Sequence, residues 1–177
     1  QSGGFLMDER DLIYDWNNIE PESPRDPSSH PHPVWFDDET LRDGLQSPSA
    51  RNPTIAQKIE LLDFMENLGI QKVDLGLPGA GPFHIDHIDS MLGHISDNGY
   101  EIRPGCAVRT VVSDIQPLIE LQSKHEMKIQ ASAFLGTSPI RQYTEGWTMD
   151  RIMKTAEEAV EFAVDNDIPV MFVTEDT

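Results

Sequence analysis

Five short apolar runs alternate with four stretches whose apolar residues recur at helical spacing, and this alternation restricts the fold more than any other feature of the chain. The runs are Val34 to Asp38, Ile70 to Leu75, Ile102 to Arg109, Lys128 to Leu135 and Val170 to Val173, each expected to be a strand. Between them, Thr54 caps a helix running to about Leu68, with Ile55, Ile59, Leu62, Met65 and Leu68 on or near one face, and Gly69 ends it. A second helix carries Ile85, Ile88, Met91, Leu92 and Ile95 up to Gly99. Asp114 to Lys124 and Met149 to Asn166 supply the third and fourth. Strands separated by single helices pair in parallel through right-handed crossovers. A doubly wound sheet and the front part of a barrel share that pattern, so periodicity alone does not choose between them.

The ends of the expected strands carry the chemistry, because ligands of parallel α/β folds bind outside the carboxyl ends of strands. After Val34-Trp35-Phe36 comes DDETLRDGLQ, residues 37–46, in which Arg42 stands beside Asp43 just before Gly44. Where a strand gives way to a glycine-containing turn, two neighbouring side chains can converge on one pocket. Asp43 offers a hard oxygen to a divalent cation, and Arg42 a permanent planar cation for a carboxylate or a developing oxyanion. An isolated Arg-Asp pair is otherwise a surface ion pair in a turn. The glycines at 76, 79 and 81 do not have the G-x-G-x-x-G spacing of a dinucleotide site.

Charge and cysteine usage narrow the function classes. The net charge of −18 opposes nucleic-acid binding, since a phosphate backbone is met by a basic surface. An anionic substrate then needs a local positive field, for which Arg42, Arg109, Arg141 and a bound metal are the candidates. No apolar stretch approaches the ~20 residues that span a membrane. The single cysteine, Cys106, excludes an internal disulfide and suits a reducing, cytoplasmic compartment; within Cys106-Ala107-Val108 it reads as buried filler. Residues 1–33, rich in Pro, Ser, Asp and Glu, read as an extended arm, with Tyr14 and Trp16 packing on the domain or a partner chain. His30 and His32 form an H-x-H pair between prolines, with no scaffold to fix metal geometry. Residues 34–177 form the domain.

The decapeptide resembles the first-strand signature, D-[ST]-T-L-R-[DE]-G-x-Q, of the acyl-CoA condensing and cleaving metallo-barrels: the 2-isopropylmalate, homocitrate and citramalate synthases and 3-hydroxy-3-methylglutaryl-CoA lyase. Asp38, Thr40, Leu41, Arg42, Asp43, Gly44 and Gln46 match; Glu39 replaces a small hydroxyl residue, and Leu45 is more usual in the lyases. VDLGLP from Val73, CAVRT from Cys106, GTSPIRQ from Gly136 and FVTED from Phe172 continue the resemblance in the same order. It implies an incomplete TIM (β/α)8 barrel, about the first five parallel strands and four helices with the helices on one outer side, because 177 residues fall short of the ~250 of a complete barrel. A chain that opens without Met and stops after a strand-like run fits the N-terminal part of such a barrel.

The resemblance also implies an activity closest to 2-isopropylmalate synthase of branched-chain (leucine) biosynthesis: Claisen-type addition of acetyl-CoA to a 2-oxo acid, assisted by Mg, Mn or Zn, in a homodimer. Lyase-type cleavage and a non-catalytic α/β binding module are the alternatives. By the same resemblance Asp43 is a metal ligand, Arg42 polarises the keto group and steadies the alkoxide, and Glu175 takes part in proton chemistry, unless it is only a charged strand end. Gln46, Arg109 and Thr137 are substrate-binding candidates, with hydrogen bonding in its own turn, an ion pair and N-cap chemistry as their respective alternatives. Asp74, where relatives often have Glu, binds substrate or holds Arg42. Arg141 stands where synthases often have His, and His84 and His87 read as partly packed. The remaining metal ligands of the family, an H-x-H pair on a later strand, have no counterpart after Glu175, so residues 1–177 alone are expected to bind metal weakly and to be inactive.

Overall fold

The computed structural model of the protein describes residues 34–176; the arm over 1–33, with Tyr14, Trp16, His30 and His32, lies outside the described residues. Five strands follow one another in space as in sequence: β1 (Asp37–Asp38), β2 (Lys72–Asp74), β3 (Arg103–Arg109), β4 (Gln130–Gly136) and β5 (Val170–Glu175), every neighbouring pair parallel. The connecting helices are α1 (Ile55–Leu68), α2 (Pro82–Asn98), α3 (Val112–His125), a short α4 (Pro139–Glu145) and α5 (Met149–Asp165). Together they make a curled half-barrel wall, an incomplete TIM barrel.

The faces of the sheet explain the curl. Val73, Leu75, Cys106, Val108, Ala131 and Ala133 belong to one continuous core with Leu62, Met91, Leu118 and Ala163 of α1, α2, α3 and α5. One core on one face is what a barrel wall requires, whereas a doubly wound sheet would bury both. Several of the alternate positions are polar: Lys72 Nζ donates to Gln130 Oε1 at 2.6 Å and lies 3.4 Å from Asp37 Oδ2. Cys106 is fully buried in the core, and burial pushes its thiol well above the usual range, as befits filler.

Local signals account for most boundaries. Thr54 and Gln57 form a reciprocal capping box at the start of α1, and Gly69 ends it in the left-handed region at φ 73°. The Val34 to Asp38 strand is cut to its last two residues: Val34, Trp35 and Phe36 are exposed at the sheet edge, with Trp35 under the Arg103 guanidinium at 4.3 Å. Helix α4 is not among the four helices of the sequence reading, although the N-cap chemistry read at Thr137-Ser138-Pro139 is what opens it. Seven residues are too few to show a period, yet its punctuation is present: the Ser138 hydroxyl accepts from Arg141 N, Pro139 opens the helix and Gly146 ends it.

Candidate active site

Arg42, Asp74, Arg109, Thr137 and Glu175 all stand at the carboxyl rim of the wall, each at or just past the end of a different strand. After β1 the chain folds into a 3-10 turn over Asp43–Leu45, with Arg42 N and Gly44 N both donating to Glu39 O at 3.1 Å. This turn throws the Arg42 side chain back over β2. Three carboxylates surround its guanidinium: Glu39 pairs with Nη2, Asp43 Oδ1 accepts from Nη1 at 3.2 Å, and Asp74 Oδ2 lies 3.4 Å from Nε. Of the five N–H donors of a guanidinium, two remain undirected. Glu39, the departure from the family motif, is thus a clamp on the motif arginine.

Asp74 is 3% exposed. Its Oδ1 accepts from Gly76 N at 2.9 Å and Ala107 N at 3.3 Å, but Oδ2 and Arg42 Nε are buried polar atoms facing each other without a hydrogen bond. Burial raises its carboxyl to about 6, although the two backbone N–H groups and Arg42 pull the other way. Of the two roles open to Asp74, contact with Arg42 is the one the geometry contains.

Arg109 meets the buried carboxylate of Asp114 at the start of α3 through two parallel bonds, Nε to Oδ2 at 2.7 Å and Nη2 to Oδ1 at 2.8 Å. Gly79 makes room for that carboxylate: a Cβ there would lie 2.6 Å from Asp114 Cγ. Gly79→Ala should therefore cost about 1–3 kcal/mol through overpacking. Urea unfolding would show a smaller loss in an Asp114→Ala background; equal losses would mean that the carboxylate is not the obstacle.

Three of the rim residues, Arg42, Arg109 and Glu175, open onto two separate cavities. One, of about 300 Å³, is lined by Arg42, Gln46, Lys58 and His84 among others; the second, about 400 Å³, by Arg109, Arg141, Trp147, Arg151 and Glu175. Asp43, Asp74 and Thr137 line neither. Gln46 gives its backbone N–H to Asp43 O at 3.0 Å, while Thr137 gives its N–H to Glu175 O at 3.0 Å. Arg141 reaches Asp176 at 3.6 Å. His84 and His87 pack around Phe83, and His87 Nδ1 is buried without a partner. Among the described residues no group of three or more His, Cys, Asp or Glu is placed to hold a metal. Asp43, largely exposed, is a single carboxylate and not by itself a metal site.

Two functional candidates escaped the sequence reading. Lys58 lies three residues after Ile55 and four before Leu62, a spacing that puts it on the buried stripe of α1, where it is 6% exposed. Asp114 was legible only as the first-turn acid of α3.

The chain also resembles known proteins over most of its length. Residues 33–177 match the HMGL-like family model. The 2-isopropylmalate synthase of Campylobacter hominis is 33% identical over 127 residues, 71% of this chain and 24% of that protein. That of Lactococcus lactis subsp. cremoris is 30% identical over 146 residues, 81% and 27% respectively, and the homocitrate synthase AksA of Methanosarcina acetivorans 28% over 140, 78% and 32%. The chain spans about a quarter to a third of the length of these relatives. With the half-barrel, the rim arginine and this match in agreement, the chain belongs to the HMGL-like family.

Proposed function

We propose that the protein to which this chain belongs is a condensing enzyme that joins the acetyl group of acetyl-CoA to a 2-oxo acid, in the manner of 2-isopropylmalate synthase. The observation that carries the proposal is the Arg42 guanidinium, fixed at the strand ends by Glu39, Asp43 and Asp74 with two donors to spare. In the reaction a base takes a methyl proton, the methyl carbon bonds to the keto carbon, and the keto oxygen collects the negative charge before it is protonated. Water then cleaves the thioester, releasing CoA. Arg42 stabilises the oxygen as it becomes an alkoxide, a donor held ready in advance. Glu175 handles the proton, and Gln46, Asp74, Arg109 and Thr137 shape and bind around the substrate.

Asp43 is the residue we assign to a divalent cation, Mg, Mn or Zn, which when bound would supply a Lewis acid for the keto oxygen. The family position also makes a cytoplasmic homodimer the working expectation. Leu45 keeps lyase-type cleavage as the second reading. Release of free CoA by the full-length protein should depend on an added 2-oxo acid. Formation of acetyl-CoA and acetoacetate from 3-hydroxy-3-methylglutaryl-CoA alone would favour the lyase, and the absence of both reactions would defeat both readings.

A further inference from the structure

One buried carboxylate touches the walls of both rim cavities. Asp114, 2% exposed, holds the Arg109 guanidinium of the second cavity by its two parallel bonds and accepts a third bond from Arg109 N at 3.3 Å. Its other side faces the 3-10 turn Pro78–Ala80, which joins β2 to α2, where a Cβ on Gly79 would lie 2.6 Å from Asp114 Cγ. Leu77 and Ala80, on either side of that contact in the chain, line the cavity beside Arg42. The glycine at 79 answers the carboxylate and not the backbone: Gly76 and Gly81 stand at φ 141° and 123°, whereas Gly79 has no positive φ.

The turn is pinned at its root and rests on Asp114 at its crest. Gly76 N donates to Asp74 Oδ1 at 2.9 Å and Gly76 O accepts from Ala107 N at 3.1 Å, so the sheet fixes where the turn begins. The bonds of the crest are internal, Ala80 N to Leu77 O at 3.0 Å and Gly81 N to Pro78 O at 3.2 Å, and they shape the turn without fixing its height above β3. A close-packed contact does fix it, because a carboxylate against a bare Cα leaves no slack.

We propose that Asp114 is a positioning residue for the condensing site: clamped by Arg109, it sets the height of the Pro78–Ala80 turn and with it the wall of the cavity in which Arg42 meets the 2-oxo acid. Asp114 touches no substrate and acts through its two neighbours. The proposal rests on the condensing reading above for what that cavity holds. A binding wall works only when held to within about 0.5 Å by groups whose own positions are locked, and two parallel charge-assisted bonds on a buried carboxylate are such a lock.

Asp114→Asn keeps the shape of the side chain and removes its charge. In the full-length protein, amide hydrogen exchange at Ala80 and Gly81 should quicken at least about tenfold, while the amides of α1 keep their rates within about twofold; a general loss of stability would quicken the slow amides throughout. The KM for the 2-oxo acid should rise at least about tenfold with kcat within about threefold, the mark of lost binding and not of lost chemistry. Arg109→Lys, at a side chain 60% exposed, carries little folding risk and breaks the two-bond grip, so it should move both readouts in the same direction. The double variant should be no more than about twofold worse than the more affected single one. Unchanged exchange at Ala80 and Gly81 in both variants, quickened exchange with an unaltered KM, or full additivity in the double variant would each overturn the proposal. Absence of 2-oxo-acid-dependent CoA release by the unaltered protein would defeat the condensing reading instead, and the exchange rates would then decide whether Asp114 holds the turn.

Discussion

Replacing Arg42 by lysine should lower 2-oxo-acid-dependent CoA release by the full-length protein by about 10²–10³-fold, the loss seen when one oxyanion donor is removed. The size follows from geometry. Glu39, Asp43 and Asp74 approach different nitrogens of one flat group, which holds that group in one orientation and leaves one N–H on each of Nη1 and Nη2 without a carboxylate. A lysine keeps the positive charge but is a point donor on a flexible stem, so it answers one carboxylate and leaves the others to compete with the substrate oxygen. Folding should survive, because the buried Asp74 still has a cation near it and two backbone donors. Turnover within about threefold of normal would take Arg42 out of the chemistry.

The second large effect concerns pH and Asp74. Its carboxyl is raised from 3.8 to about 6, first by burial, against the pull of Gly76 N, Arg42 and Ala107 N. A raised folded value means that the folded protein binds the proton more tightly than the unfolded chain. The contribution to stability is therefore fully present below 3.8 and is lost as pH rises through about 6. Two units correspond to about 3 kcal/mol. Asp74→Asn keeps an oxygen for the two backbone donors and cannot ionise. Urea unfolding of both proteins from pH 4 to 8 should show the unaltered protein losing up to about 3 kcal/mol relative to Asp74→Asn across that interval. A stability difference that stays flat, or that moves in favour of the unaltered protein as pH rises, would show that Asp74 is not destabilised by its charge.

Much of the wall was legible because its signals are local. Alternating apolar runs marked the strands, Thr54 with Gln57 and Gly69 bracketed α1, and the unbroken βα order gave parallel pairing without crossovers to guess. What failed was either short or at an edge. Helix α4 has no room for a period, and the run from Val34 to Phe36 has apolar residues but one neighbouring strand and no cover, so its composition promised a longer strand than forms. At the site, Arg42 stood out because two chemically loaded residues are adjacent in sequence. Half of its clamp was also read, since Asp74 was given as binding substrate or holding Arg42; the Glu39 contact was not, because that residue stood out only as a departure from the motif. Lys58 was visible in principle as a charge on an apolar stripe, but long lysine side chains often leave such stripes for solvent, and only the packed structure shows that most of this one is covered. Arg109 was read with an ion pair as its alternative, and the ion pair with Asp114 is what forms.

A co-crystal of the full-length protein with a 2-oxo acid puts the rim assignment to the most direct test, through the distance from the Arg42 guanidinium to the keto oxygen. The prediction is a contact of about 3 Å at the carboxyl ends of the strands, made by the donors that Glu39, Asp43 and Asp74 leave undirected. A 2-oxo acid bound in a turnover-competent complex away from that rim, with Arg42 still held by its three carboxylates and beyond hydrogen-bond reach, would contradict it.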